Sequence, residues 1–314
     1  MNRTDIDAMA RAIVGAHAAL ALPRAEAYRP AEPAEPDSDD PVFRAAHQAA
    51  FALGFAAADA QCVARAWHRQ QRRTGAFDPR RWPDDPDDFG LAPWPRADAF
   101  APCPRSLGLY AVLPDAGWVG RMARAGVPTL QLRFKSADAD AVRAEVRAAV
   151  AAVQGTAARL FVNDHWREAI EAGAYGVHLG QEDLDQVGAE GLAAIRSAGL
   201  RLGLSTHGYA EMLRADALAP SYLALGAVFP TTLKAMPTAP QGLGRLRAYA
   251  RLMRDRPLVA IGGIDAARLP EVLACGVGSV AFVRAVIAAE APEVAAVSLA
   301  RVIDRGTRDA PTPP

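Results

Sequence analysis

Eight short apolar runs, each followed by a helix-like stretch, recur without interruption from Leu107 to about residue 305, and this alternation constrains the fold more than any other feature. The runs are LGLYAVL (107–113), TLQLRFK (129–135), ARLFVND (158–164), GVHLG (176–180), RLGLSTH (201–207), YLALGAVF (222–229), PLVAIGG (257–263) and VGSVAFV (277–283). They are too apolar for a half-wetted sheet, which implies strands buried on both faces, hence parallel and covered by helices. Gly126, Gly173, Gly199, Pro220 and Gly276 stand where the intervening helices would stop. Eight such units in about 200 residues match a closed barrel at its compact end. An open doubly wound sheet is the alternative, and the absence of a GxGxxG turn argues against it. The expected fold class is therefore α/β: an eight-stranded parallel β/α (TIM) barrel over residues 106–305, with a tail at 306–314.

Residues 1–105 have a different texture. Stretches 5–21 and 42–72 are alanine-rich and helical in pattern, whereas EPAEPDSDDP and the Pro-, Asp- and Arg-dense stretch Phe77–Pro104 favour turns, extended linkers or disorder. The expectation is a helical, partly irregular N-terminal extension. His17, His47 and His68 are isolated there and read as surface or helix-packing residues, while Cys62, Cys103 and Cys275 show neither metal-ligand spacing nor a disulfide pattern. Formal net charge is zero, so bulk electrostatics give no support for nucleic-acid or anionic-membrane partners. No apolar run approaches the ~18 residues needed to span a bilayer. The N-terminus lacks an export-type pattern, and the expected location is cytoplasmic.

Of the 35 basic residues only Lys135 and Lys234 are lysines. A compact ammonium meets phosphate in a smaller volume than a guanidinium fork requires. Active sites of such barrels lie at the C-terminal ends of the strands, and both lysines fall there. Gln131, Arg133 and Lys135, spaced by two, would share one face at the end of strand 2. Strand 3 ends at Asn163-Asp164, strand 4 runs into Gln181-Glu182-Asp183, strand 5 ends at Ser205-Thr206-His207, and strand 7 at Gly262-Gly263. Cations with hydroxyl and amide donors suit a polyanion. Asp164 and Asp183, two carboxylates at adjacent strand ends, suit Mg²⁺, although an aspartate after a strand also commonly caps the next helix. A Gly-Gly pair after strand 7 suits a second phosphate.

The segments QLRFK, FVNDHWREAI, YGVHLGQEDL, GLSTH, LGAVFPTTLKAMPTAPQGL and VAIGGI resemble the thiamine-phosphate synthase family across residues 107–290. That resemblance implies a transferase joining hydroxymethylpyrimidine pyrophosphate to hydroxyethylthiazole phosphate, with loss of pyrophosphate through a dissociative step and no strong general base. By motif, Arg133, Lys135, Ser205 and Lys234 would be catalytic. Gln131, Leu132, Arg133, Phe134, Lys135, Asn163, Ser205 and Lys234 would surround the pyrimidine pyrophosphate. Thr231, Thr232, Leu233, Gly263, Val283 and Arg284 would surround the thiazole phosphate, and Asp164 and Asp183 would bind Mg²⁺. His178 reads as a packed, hydrogen-bonded residue; the role of His207 and the formation of a homo-oligomer stay open. Two departures fall on the thiazole half: Leu233 interrupts the usual Thr-x-Thr-Lys, and Arg284 replaces the usual serine after Val283. Phe134 and Ser136 also differ from many relatives. An isomerase resembling the thiazole tautomerases and a non-catalytic binder of thiamine intermediates are the competing functions; Asp164, Asp183, Arg133 and Lys135 favour the synthase over the isomerase. The segment HQAAFALGFAAADAQCVARAW faintly resembles the closing helices of pyrimidine phosphate kinases, and leaves a kinase remnant, a brace and an oligomer contact all open.

Overall fold

Each apolar run forms a strand: β1 (Gly108–Leu113), β2 (Thr129–Leu132), β3 (Arg159–Asn163), β4 (Gly176–Leu179), β5 (Arg201–Thr206), β6 (Tyr222–Leu225), β7 (Leu258–Ala260) and β8 (Ser279–Phe282). In the computed structural model, which describes residues 3–22, 35–231 and 238–308, all neighbours pair in parallel and β8 closes on β1 as a barrel. The period-two alternation of strand side chains separates two cores. Leu109, Leu130, Leu160, Val162, Leu204 and Val280 pack outward under the helices, while Tyr110, Val112, Phe161, Tyr222, Ala224 and Val259 fill the interior. Burying each outer leucine contributes about 1.5–3 kcal/mol. Inside, the rings leave no room for neighbours. A Cβ on Gly203 would stand 2.1 Å from Tyr222 Cζ, and one on Gly176 2.6 Å from Phe161 Cε1.

The outer ring comprises α5 (Ala116–Arg124), α6 (Ala139–Val153), α7 (Trp166–Ala172), α8 (Gln181–Ser197), α9 (Tyr209–Ala217), α10 (Gly242–Leu252), α11 (Leu269–Leu273), α12 (Arg284–Ile287) and α13 (Pro292–Arg308). Several strands are shorter than their apolar runs. β2 stops at Leu132 rather than 135 and β6 at Leu225 rather than 229, and β7 gives way to Gly262 and Gly263 at φ 103° and 64°. The backbone there has left the sheet for the loops at the barrel mouth. No described helix is long and apolar enough to cross a membrane.

The extension forms α1 (Arg3–Ala16), a 3₁₀ turn (Ala18–Leu20), α2 (Pro41–Ala52), α3 (Ala57–Thr74) and α4 (Pro86–Phe89). The helical stretch expected over 42–72 is therefore two helices, broken at Gly54 with φ 84°. The break leaves the Leu53 carbonyl to accept from Arg245 Nη2 at 3.0 Å. Phe77–Pro104 is neither disordered nor a detached linker, because Phe89, Leu91 and Phe100 are buried. His17 bonds the Pro79 carbonyl at 3.0 Å and packs on Trp82, whereas His47 is buried between Phe43 and Phe51. The three cysteines are free thiols, Cys275 buried.

Arg245 and Asp59 make two of the contacts that tie this extension to the barrel. Arg245 of α10, 2% exposed, donates to the carbonyls of Leu20 and Leu53 at 3.0 Å each and to Gln241 Oε1 at 3.1 Å, with its guanidinium over the Phe55 ring. Asp59 of α3 accepts from Ala210 N at 2.8 Å, capping α9, which has no capping side chain of its own. Trp82 Nε1 donates to Tyr209 Oη at 2.9 Å beside it. A Cβ on Gly208 would lie 2.2 Å from Asp59 Oδ2, which is why that position is glycine. Gly208→Ala should thus cost about 1–3 kcal/mol by overpacking. In an Asp59→Ala background it should cost clearly less, a coupling of roughly 1 kcal/mol in a urea-denaturation cycle. Strict additivity would mean that α3 does not seat on α9.

Candidate functional site

The strand ends assemble two adjoining groups of polar side chains. The first lies past β2, β3 and β4. Asn163 is the last residue of β3, and Asp164 follows it with φ 66°, a left-handed conformation unusual outside glycine. Its amide donates to the His178 carbonyl at 3.1 Å, and Asn163 Nδ2 reaches the same carbonyl at 3.3 Å. The turn is thereby pinned to β4 while the Asp164 carboxylate pairs with Lys135 Nζ and Asn163 Nδ2. Lys135 is 56% exposed at its side chain and Asp164 17%, so the ammonium stands at the rim over a more enclosed carboxylate. Asp183, in the first turn of α8, accepts from Gly180 N at 3.1 Å and lies within hydrogen-bonding reach of Asp164. Burial first, and the facing Asp164 second, hold its carboxyl above the ordinary aspartate range. Asp183 thus serves as a helix cap and also confronts a second carboxylate, whereas α7 takes no side-chain cap from Asp164. Among the described residues no group of three or more His, Cys, Asp and Glu is arranged to hold a metal ion by itself. Two carboxylates and one lysine leave a net negative charge, a donor set that fits a hard divalent cation sharing its shell with phosphate oxygens.

The second group lines the barrel interior. Gln131, 4% exposed, donates from Nε2 to Tyr110 Oη at 2.9 Å. Tyr110 Oη meets Tyr222 Oη at 2.7 Å, Tyr222 Oη meets His178 Nδ1 at 2.7 Å, and His178 Nε2 meets Ser205 Oγ at 2.9 Å. Gln181 Nε2 donates to the Ser205 carbonyl at 2.7 Å and holds the end of β5. His178 is thus a packed residue with both ring nitrogens engaged. Tyr110 and Tyr222 were not among the expected site residues. The signal was present, since a tyrosine in an otherwise apolar buried strand needs a partner for its hydroxyl.

The other expected residues fall as follows. Arg133 is half-buried just beyond β2, its amide bonded to the Leu113 carbonyl at 2.8 Å. Gln131, Arg133 and Lys135 do not form one strand face, since only Gln131 is within β2. Leu132 and Phe134 pack with the outer apolar core, so their side chains face the helices and not the mouth. His207 is held by Glu211, with Nδ1 at 2.6 Å and its own amide at 2.9 Å from Oε2. Gly262 and Gly263 press against the chain after β6. Cβ atoms there would stand 2.5 Å from Ala227 Cβ and from the Pro230 carbonyl, respectively. Val283 leads into α12, whose first residue, Arg284, is exposed. Thr231 is half-buried at the end of the described loop; Thr232, Leu233 and Lys234 lie outside the described residues.

A family model for thiamine monophosphate synthase matches residues 110–286. The thiamine-phosphate synthase of Neisseria meningitidis serogroup B is 58% identical over 194 residues, covering 62% of this chain and 93% of its own length. That of Escherichia coli O1:K1 is 51% identical over 207 residues, covering 66% and 97%. A solved structure of thiamine phosphate pyrophosphorylase from Pyrococcus furiosus is 29% identical with a TM-score of 0.56, covering 64% of this chain and 98% of its own. With its closed barrel and with these matches, the chain belongs to the thiamine monophosphate synthase family, a family of transferases.

Proposed function

We propose that this enzyme condenses hydroxymethylpyrimidine pyrophosphate with hydroxyethylthiazole phosphate, giving thiamine monophosphate and pyrophosphate. The observation that carries the proposal is the joining of Lys135, Asn163, Asp164 and Asp183 at the ends of three adjacent strands. Asp164 and Asp183 would hold Mg²⁺, which supplies positive charge opposite the pyrophosphate oxygens as the leaving group departs. Lys135, Arg133 and Lys234 would meet the remaining phosphate oxygens, and Gln131, Asn163 and Ser205 would hold the pyrimidine. The thiazole nitrogen forms a bond to the exocyclic methylene carbon, whose bond to the pyrophosphate oxygen breaks with its electron pair. No proton must be removed for that step, in keeping with a His207 already tied to Glu211. Thr231, Gly263, the Val283-Arg284 backbone and the Arg284 guanidinium would take the thiazole phosphate.

Mixing both substrates with Mg²⁺ and the full chain should release pyrophosphate in step with thiamine monophosphate. An isomerase or a non-catalytic binder would release none. The cation site has its own readout. In Asp164→Asn, carboxyl-carbon NMR should show Asp183 titrating at lower pH than in the parent, because a facing negative charge is gone, although burial keeps part of the elevation. An unmoved Asp183 titration would separate the two carboxylates. Arg284→Ala should raise KM for the thiazole phosphate by about tenfold, the loss of one charge-assisted contact, and leave KM for the pyrimidine substrate near its parent value. An unchanged thiazole KM would confine the contact to the backbone.

A further inference from the structure

The interior chain from Gln131 to Ser205 has a property beyond filling the barrel. Its three middle members are almost wholly enclosed: Tyr222 is 1% exposed, Tyr110 2% and His178 6%. Burial pushes both phenols above their ordinary range, so each keeps its single proton. A phenol with one proton between two polar partners gives to one and accepts from the other. The direction of any one link therefore sets the direction of all. Gln131 Nε2 can only donate, so Tyr110 accepts from it and gives its own proton to Tyr222. Tyr222 then donates to His178 Nδ1, which places the proton of the neutral imidazole on Nε2, facing Ser205 Oγ. Ser205 accepts that bond and keeps its hydroxyl proton for another acceptor. At the opposite end, the amide of Gln131 keeps its oxygen for another donor.

We propose that Tyr110, Tyr222 and His178 are positioning residues that fix opposite hydrogen-bonding characters at the two ends of the chain, an acceptor at Gln131 Oε1 and a donor at Ser205 Oγ. A ligand edge that satisfies both ends carries one donor and one acceptor, as an amino group beside a ring nitrogen does. Identification of that edge with the aminopyrimidine rests on the function proposed above; the polarity of the chain does not. Were the chain to run the other way, Gln131 would present its NH₂ and Ser205 only a lone pair, and the favoured edge would be inverted. The device thus makes specificity depend on residues that touch no substrate.

The test is a long-range ¹H–¹⁵N spectrum of the full-length protein with ¹⁵N-histidine at neutral pH, with His178 assigned from the spectrum of His178→Asn. The expected result is a protonated Nε2 and an unprotonated Nδ1; a protonated Nδ1, alone or together with Nε2, overturns the proposal. This readout needs neither substrate nor activity, so it stands or falls separately from the functional reading. A second measurement compares inhibition by the amino pyrimidine pyrophosphate and by its oxo counterpart, whose edge has donor and acceptor exchanged. The parent should prefer the amino form by about tenfold or more. Tyr222→Phe, checked for folding by its melting transition, should shrink that preference while binding of inorganic pyrophosphate holds. An undiminished preference in a folded Tyr222→Phe protein would also overturn the role assigned to the chain.

Discussion

The filling of the barrel interior is the constraint on which the rest depends. A closed ring of eight strands encloses space for only a few side chains per layer, and what occupies it must pack without voids and pair every polar atom. Here Tyr110, Phe161 and Tyr222 take most of that volume, and Gly176 and Gly203 yield it to them. Hydroxyls carried into the interior by two of those rings find partners in Gln131 and His178, and through them in Ser205. The aromatic layer therefore forms a floor whose polar atoms point toward the strand ends. Above it the backbone turns outward, and the left-handed Asp164 brings a carboxylate over that floor beside Lys135 and Asp183.

The extension acts on the opposite flank. Asp59 caps α9, which follows the Ser205-Thr206-His207 end of β5, and Arg245 ties Leu20 and Leu53 to Gln241 at the start of α10. Both contacts are buried and directional, so α3 and the segments at Leu20 and Leu53 are structural partners of the barrel. The lone guanidinium of Arg245 serves three acceptors from separate segments, a task suited to its planar fork.

The sequence made the barrel legible because its signal is carried by every strand, a short apolar run followed by a helical stretch, repeated eight times. Strand ends were less legible. TLQLRFK alternates through Lys135, yet pairing stops at Leu132, since alternation reports which face a side chain takes and not where a neighbour ceases to pair. For the same reason Leu132 and Phe134 belong to the outer core although they stand inside a binding motif. Lys135 was legible from the scarcity of lysine and Asp164 from its place at the end of the third apolar run, whereas their pairing was not. His178 was legible as a hydrogen-bonded residue but its path to Tyr222 and Tyr110 was not, because the members are 44 to 112 residues apart and meet only when β1, β4 and β6 face one another across the barrel. The break at Gly54 and the cap from Asp59 were likewise set by partners far along the chain.

In the proposed reaction a cation and a pyrophosphate share the ends of β2 to β4. Calorimetric titration of inorganic pyrophosphate into the full chain tests it most directly, with Mg²⁺ and then with chelator, for the parent and for Asp183→Asn. The expected result is binding in Mg²⁺ that weakens by about tenfold or more when the ion is chelated or when Asp183 loses its charge, in line with a lost ion-mediated contact of at least ~1.4 kcal/mol. Equal affinity in all of these conditions would contradict it.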